Sequence, residues 1–361
     1  MKTLLYICLA GILFSCSKEE PIGEMYPWME SPYFALPPTG LSLIAGEQVT
    51  IHGDALINIP IDNKLQVTYK SDIGSKSGNN LVINPTASDI GDHNLTMTFK
   101  NDGRLITTQT IKVTVYAKAA ASTKKILLIG NSLTQSGCTY YDTQIKRVLN
   151  NPTITFLGTN GTTTKNEGNG GATWNRYVNN NQPVDKPSPF FKAGVLNVPA
   201  YFSDNSISSP DYILISLGLN ELLEYSAVGG DVITDGEITA ILNTAKKLID
   251  AFLAYDANLK IILQIPSLTG TSGVAWALDY EARLDQDLFI ENVHKYWSAL
   301  ISEFANGVYV SRVDCNYAPI FLNRTTGYSG IENSGVHPNQ SGYIQLGVGI
   351  ALTFNKLFNA N

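Results

Sequence analysis

Ser132, His337, Asn220 and Gly171 are the residues whose types and settings suit one chemistry, nucleophilic attack on an acyl carbonyl. Ser132 lies in LLIGNSLTQS (127–136), where an apolar run stops at Gly130-Asn131-Ser132. A serine hydroxyl is a weak nucleophile: it needs a base to take its proton and donors to hold the oxyanion that forms. His337 fits the base, because an imidazole titrates at roughly 6.5. It sits in ENSGVHPNQSGY, a loop just before a final helical stretch, with Pro338 where a first helical turn accepts it. Asn220, in SLGLNEL after the run DYILIS, offers an amide donor for the oxyanion. An asparagine in a turn also caps backbone groups. Gly171, in EGNGGATW (167–174), allows close approach of a backbone N–H to a substrate; the alternative is a loop with no role. The loop is not a phosphate loop, since no Lys-Ser/Thr pair follows it.

The elements that must position these groups read as parallel-sheet strands alternating with helices. From Lys124 onward the strand-like runs are KILLIGN, TITFLGT, DYILISLG, LKIILQIP and GVYVSRVD. Helical stretches are expected near 139–150, 237–255, 281–304 and 339–358. In 237–255 the residues Ile238, Ile241, Leu242, Ala245, Leu248, Ile249 and Phe252 follow helical spacing. Continuous aliphatic strands are buried on both faces, so residues 124–361 predict a doubly wound three-layer α/β domain. Ligands in such sheets sit beyond the carboxyl ends of the strands, where Ser132 lies. His294 is the rival base, but its neighbours Ile290 and Trp297 place it on a helix face.

Residues 25–117 read as all-β. EQVTIHG, LQVTYKS, NLVINP, HNLTMTFK and TTQTIKVTVYA are separated by Gly, Asn, Asp and Pro, which suggests a small β-sandwich. NPTASDIGDHNLTMTF resembles the E–F corner of immunoglobulin-like modules, with His93 where those modules often carry a tyrosine. His52 and His93 are expected on the surface or a strand face, not as ligands. Residues 118–123 form the linker.

The start, MKTLLYICLAGILFSC, is a signal peptide by its single lysine and short apolar stretch. Leu13-Phe14-Ser15-Cys16 resembles the bacterial lipobox, so residues 1–16 are expected to be removed up to a lipidated Cys16 and residues 17–24 to tether the chain. The expected location is the bacterial cell envelope, with membrane attachment through the lipid; plain secretion is the alternative. Cys138 and Cys315 would remain, as a disulfide or as two buried thiols. A composition of 44% hydrophobic and 16% charged residues excludes wholesale disorder. A net charge of -6 without a basic run argues against a nucleic-acid partner. No His/Cys/Asp/Glu spacing suggests a metal.

The blocks GNSLT, EGNGGATW, GLNE and VHPN, in this order, resemble those of the SGNH hydrolase superfamily, the GDSL-type esterases and lipases. The resemblance covers residues 124 to about 358. It implies a flavodoxin-like sandwich and ester hydrolysis without metal or cofactor. Ser132 would attack, His337 would move the proton, and the Ser132 and Gly171 N–H groups with the Asn220 amide would hold the oxyanion. The α/β-hydrolase motif G-x-S-x-G is a poorer match, since Thr134 takes its last position. Three departures stand out: Asn131 replaces Asp, Glu221 replaces Asp, and Ser334 occupies the place of the triad aspartate. Loss of that carboxylate costs roughly 10⁴-fold in a related triad. A backbone carbonyl, Glu332 or a distant carboxylate could compensate; Asn333 could orient the ring without supplying charge.

The function expected is an exported serine esterase acting on small acyl esters, above all O-acetyl groups on carbohydrate, with Trp174 and Tyr177 offering aromatic faces to a sugar or packing in the core. One alternative is a lipase or thioesterase, with residues 267–285 as lid. Another is a degenerate hydrolase serving as a glycan-binding or scaffold lipoprotein.

Overall fold

The computed structural model describes residues 40–58, 64–179, 187–271, 276, 280, 283–304, 309–329 and 335–360. The segments expected to be the signal peptide, the lipidated Cys16 and the tether lie outside the described residues, as do Glu332, Asn333 and Ser334.

The aliphatic runs of the second half form the buried sheet that their composition demands. β8 (Lys125–Gly130), β13 (Tyr212–Ser216) and β14 (Lys260–Gln264) lie side by side and parallel, with Leu127 opposite Ile213 and Ile213 opposite Ile261. β15 (Val313–Asn316) extends one edge, and β9 (Thr155–Leu157) and β10 (Glu167–Gly168) both pair with β8 on the other. Taking β9 and β10 as one broken strand, the order is that of a doubly wound sheet whose switch point lies between β8 and its neighbours. Helices α1 (Ser132–Leu149), α5 (Asp235–Tyr255), α6 (Gln286–Phe304) and α7 (Gln340–Asn359) connect and cover the strands, with α1 against α7 and α5 against α6. The α5 stripe is buried at every residue expected from its spacing, and Thr234 with Glu237 forms a capping box at its start. Short helices α2 (Trp174–Asn179), α3 (Val198–Asp204) and α4 (Leu219–Glu224) and the two-stranded ribbon of β11 (Phe191–Lys192) and β12 (Val195–Leu196) fill the connections.

Two expectations shift. The first helix begins at Ser132, not near 139, because the Asn131 side chain accepts the Leu133 N–H at 2.9 Å and caps it directly after the strand. The last strand is VDCN rather than GVYVSRVD: Arg312 N–H closes a turn on Tyr309 O, and pairing with β14 starts only at Val313.

The N-terminal strands make a small all-β domain of two sheets. One has the order β1 (Leu41–Ile44), β7 (Arg104–Tyr116), β6 (Gly91–Asn101), β3 (Leu65–Lys70); the other is β2 (Val49–His52), β5 (Asn80–Ile83), β4 (Ser75–Ser77). β1 runs parallel to β7, whereas the other pairs are antiparallel. β1 and β4 were not legible as strands. His93 bonds Asp89 O at 2.7 Å and Asp72 at 2.9 Å, which pins the corner after the Thr86–Asp89 capping box. His52 is a strand-face residue, and a buried one. Among the described residues no cluster of His, Cys, Asp and Glu could hold a metal, and Cys138 and Cys315 are both free, buried thiols.

The linker is fixed to the second domain: Ala119 N–H donates to Asn355 Oδ1 at 2.8 Å, and Asn151 donates to Ser122 O at 2.8 Å. Arg147 grips Glu47 with two bonds of 2.6 and 3.2 Å.

Candidate active site

Ser132 occupies the first position of α1, immediately beyond the carboxyl end of β8. The turn is tight. A Cβ at Gly130 would stand 2.1 Å from Thr134 Oγ1 and 2.9 Å from Ser216 O, so only glycine fits between β8 and the buried Thr134. At the other end of the chain, Asn339 caps α7 by accepting the Gly342 N–H at 2.9 Å. Its own N–H and amide hold Gly327 O and Thr326 O, both at 2.7 Å. This clasp presents His337, two residues earlier, to the serine. His337 Nε2 stands 2.8 Å from Ser132 Oγ. That is the distance at which a neutral imidazole accepts the hydroxyl proton.

The oxyanion candidates belong to the same network. Asn220 sits in the first turn of α4, whose N-cap Gly218 has φ 103° and packs against Tyr296. One amide proton of Asn220 goes to Ala172 O at 2.8 Å, which seats the glycine loop beside it and leaves the other proton of the NH₂ group to donate. Gly171 is exposed, with φ 72°. Its neighbours are engaged, Gly170 N–H with Gln135 Oε1 at 2.8 Å and Ala172 N–H with Asn169 O at 3.0 Å. Asn169 N–H in turn donates to Gly130 O at 3.0 Å, tying the loop to the turn that bears Ser132. At the base of the loop, buried Glu167 accepts the Thr159 N–H and the Tyr201 hydroxyl, both at 2.6 Å; burial raises its pKa.

Several residues of this network were not legible as functional. Glu221, read only as a departure from the usual aspartate, accepts the Trp174 N–H at 2.5 Å and closes the far end of the glycine loop onto α4. Burial pushes its carboxyl up to about 7. The sole signal was adjacency to Asn220. Gln135, three residues after Ser132 and so on the same helix face, had no signal at all.

Of the two readings of Trp174 and Tyr177, a sugar-facing surface or core packing, the structure shows the second. Both are core residues, 2% and 0% exposed. Trp174 donates its indole N–H to Tyr296 at 3.1 Å, and the Tyr177 hydroxyl meets Gly130 O at 2.8 Å and also Glu167 O. His294 is not at the site: it is fully buried against Trp297, bonded to Ile290 O at 2.8 Å, and burial lowers its pKa to about 4. Of the 267–285 stretch, Ser267 to Gly270 and Trp276 are buried, and much of the remainder lies outside the described residues.

The GDSL-like lipase/acylhydrolase family matches residues 126–349, more than half of the chain and all four blocks. The chain belongs to this family. As a GDSL-like acylhydrolase it is a serine ester hydrolase on an α/β scaffold. None of the curated proteins matches it. Among solved structures it is similar to a family 3 carbohydrate esterase from Talaromyces cellulolyticus, at 17% identity over 66% of this chain and 99% of that one, with a TM-score of 0.42. A carbohydrate acetylesterase family member from Sinorhizobium meliloti shows 15% identity over 65% and 99%, with a TM-score of 0.40. A family 2 carbohydrate esterase with a carbohydrate-binding domain from Corynascus thermopiles shows 14% identity over 91% and 93%, with a TM-score of 0.40.

Proposed function

We propose that this GDSL-like acylhydrolase removes small acyl groups, acetyl above all, from carbohydrate hydroxyls. In this mechanism Ser132 Oγ attacks the acyl carbonyl while His337 Nε2 takes its proton. The Ser132 and Gly171 N–H groups and the Asn220 amide receive the oxyanion. His337 then protonates the departing sugar hydroxyl. Water attacks the acyl-enzyme through the same base and releases the acid. The observation that carries the mechanism is the 2.8 Å contact of His337 Nε2 with Ser132 Oγ. It also favours a working enzyme over a degenerate scaffold.

Support for a carbohydrate alcohol comes from the polar rim beside Gly171. Gln135 and Asn175 lie on the helix turns flanking the glycine loop, with Asn169 inside it, and the amide groups of these side chains are of the type that hydrogen-bonds a polyhydroxylated leaving group. The added all-β domain, and the export expected from residues 1–16, point the same way by analogy alone.

The test measures acetate released from acetylated glycans, with a series of synthetic esters of increasing acyl length beside it. Ser132→Ala should lower turnover by roughly 10⁵-fold or more and leave thermal unfolding unchanged. It should also abolish the single mass adduct that a fluorophosphonate leaves on the wild type. Preference for long acyl chains would reject the carbohydrate reading in favour of a lipase or thioesterase. Full turnover by the alanine variant would reject Ser132.

A further inference from the structure

Arg324 is a fully buried cation that joins three segments of the chain. Its Nε donates to Thr269 O at 2.8 Å, in the loop that follows β14. Its Nη1 donates to Asp54 O at 3.1 Å, in the turn after β2 of the small domain. Its own carbonyl accepts the Thr271 N–H at 3.0 Å, so side chain and backbone hold residues 269–271 from both sides. Between those two bonds, Gly270 N–H donates to Gly335 O at 3.1 Å, two residues before His337. The same loop is braced by Gln286, which donates to Thr269 Oγ1 and Gly270 O, each at 2.9 Å, and by the Tyr328 hydroxyl on Leu268 O at 2.5 Å. Glycine is required at 270, because a Cβ there would meet the Tyr328 side chain at 2.6 Å. On the other side of His337, Asn339 clasps Gly327 and Thr326, in the turn that Arg324 itself opens.

A guanidinium out of water is costly unless its donors are satisfied, and here one of its acceptors belongs to the other domain. Residues 53–57 of that domain are buried apart from the half-buried Asp54, so the turn is packed in place and not laid on the surface.

We propose that Arg324 is a positioning residue through which the all-β domain holds the His337 loop in register with Ser132. This rests on the Ser132–His337 reading of the site. The small domain is then part of the hydrolase machinery, not a spacer: its Asp54 carbonyl accepts from Nη1, Thr269 O accepts from Nε, and Nη2 is buried without a partner among the described residues, so the loss of either acceptor leaves a second buried donor unsatisfied. Arg324 in turn fixes residues 269–271, and Gly270 fixes Gly335. A displacement of about 1 Å at such a loop costs on the order of 100-fold in rate.

The experiment compares the full-length wild type with Arg324→Met, Arg324→Lys and Arg147→Met, reading steady-state kinetics with a small acetyl ester and amide hydrogen exchange over 335–339. Arg147→Met cuts a different bond between the same domains, the pair with Glu47, and serves as the control. Arg324→Met should lower kcat by about 10- to 100-fold with KM within about threefold. Exchange at 335–339 should accelerate by roughly tenfold. Arg324→Lys, which keeps one donor, should recover part of the rate, and Arg147→Met should match the wild type in both readouts. If Arg324→Met does not fold, Arg324→Lys decides: wild-type kcat and wild-type exchange at 335–339 would overturn the proposal. So would equal loss of kcat in Arg147→Met, since that would indicate general destabilisation. Exchange reads the loop without any turnover, so a wild type inactive on every ester would refute the catalytic reading and still leave the positioning claim decided.

Discussion

Glu221 carries an unusual burden for a single carboxyl. It is buried, it accepts one backbone N–H, and its second oxygen has no partner among the described residues. Burial favours the neutral form and raises its pKa from 4.5 to about 7. Between those values the folded chain holds a proton that the unfolded chain has lost, so this group makes stability fall as pH rises through the window. His294 acts in the opposite sense. With its pKa lowered from 6.5 to about 4, the folded chain binds fewer protons there, and stability falls as pH drops. The two oppose each other between about 4.5 and 6.5. Glu221→Gln keeps an acceptor for Trp174 and removes the titration. The variant should be more stable than the wild type at pH 8, by on the order of 3 kcal/mol, with the gap closing toward pH 5. Urea unfolding at the two pH values measures this, and a gap independent of pH would mean that the carboxyl titrates normally.

The two helices that bear candidate catalytic groups, α1 and α4, each start at a glycine whose role is steric. α4 starts from Gly218, at φ 103°, where a Cβ would lie 2.8 Å from the Tyr296 ring. α1 starts where Gly130 makes room for Thr134. Gly218→Ala therefore meets both backbone strain and a clash and should cost about 1–3 kcal/mol. Because Asn220 is two residues downstream, the same substitution should also lower kcat, with KM changing less. Melting curves and steady-state kinetics read the two effects separately. Unchanged kcat in a destabilised variant would show that the Asn220 amide is set by its bond to Ala172 alone.

Within residues 40–360 the all-β and α/β domains are joined through a linker that is hydrogen-bonded to the second of them. Asn355, fully buried on α7, receives the Ala119 N–H at 2.8 Å and donates to Ala117 O at 2.9 Å. Asn355→Leu fits the space but strands a buried N–H, at about 1–3 kcal/mol. A lower melting temperature with unchanged kcat is expected, since Asn355 lies far along α7 from the His337 loop. A fall in kcat equal to that of Arg324→Met would instead make every contact between the domains catalytically relevant.

The sequence by itself determined the sheet, and it singled out the candidate residues for acyl transfer. Aliphatic runs such as KILLIG and YILIS have one stable fate, a strand covered on both faces, and the polar stop after each marks a carboxyl end. Ser132 and Asn220 stood out because each follows such a run with a residue type suited to acyl transfer, Gly171 by its glycine-rich loop and His337 by its place in the loop before the last helix. Tertiary structure alone decided the rest. Trp174 and Tyr177, just past the glycine-rich segment, suit a ligand face or the core equally, and the core wins once Glu221 and Asn220 bind the loop backbone. Arg324 looks like one more basic residue in a polar turn. Its burial and its partners, Asp54 O, Thr269 O and the Thr271 N–H, come from two segments, near 54 and near 270, that nothing local brings together. Hydrophobic periodicity encodes which face of an element is buried; which backbone carbonyl waits at the end of a long side chain depends on packing between elements distant in sequence, and no local pattern records it.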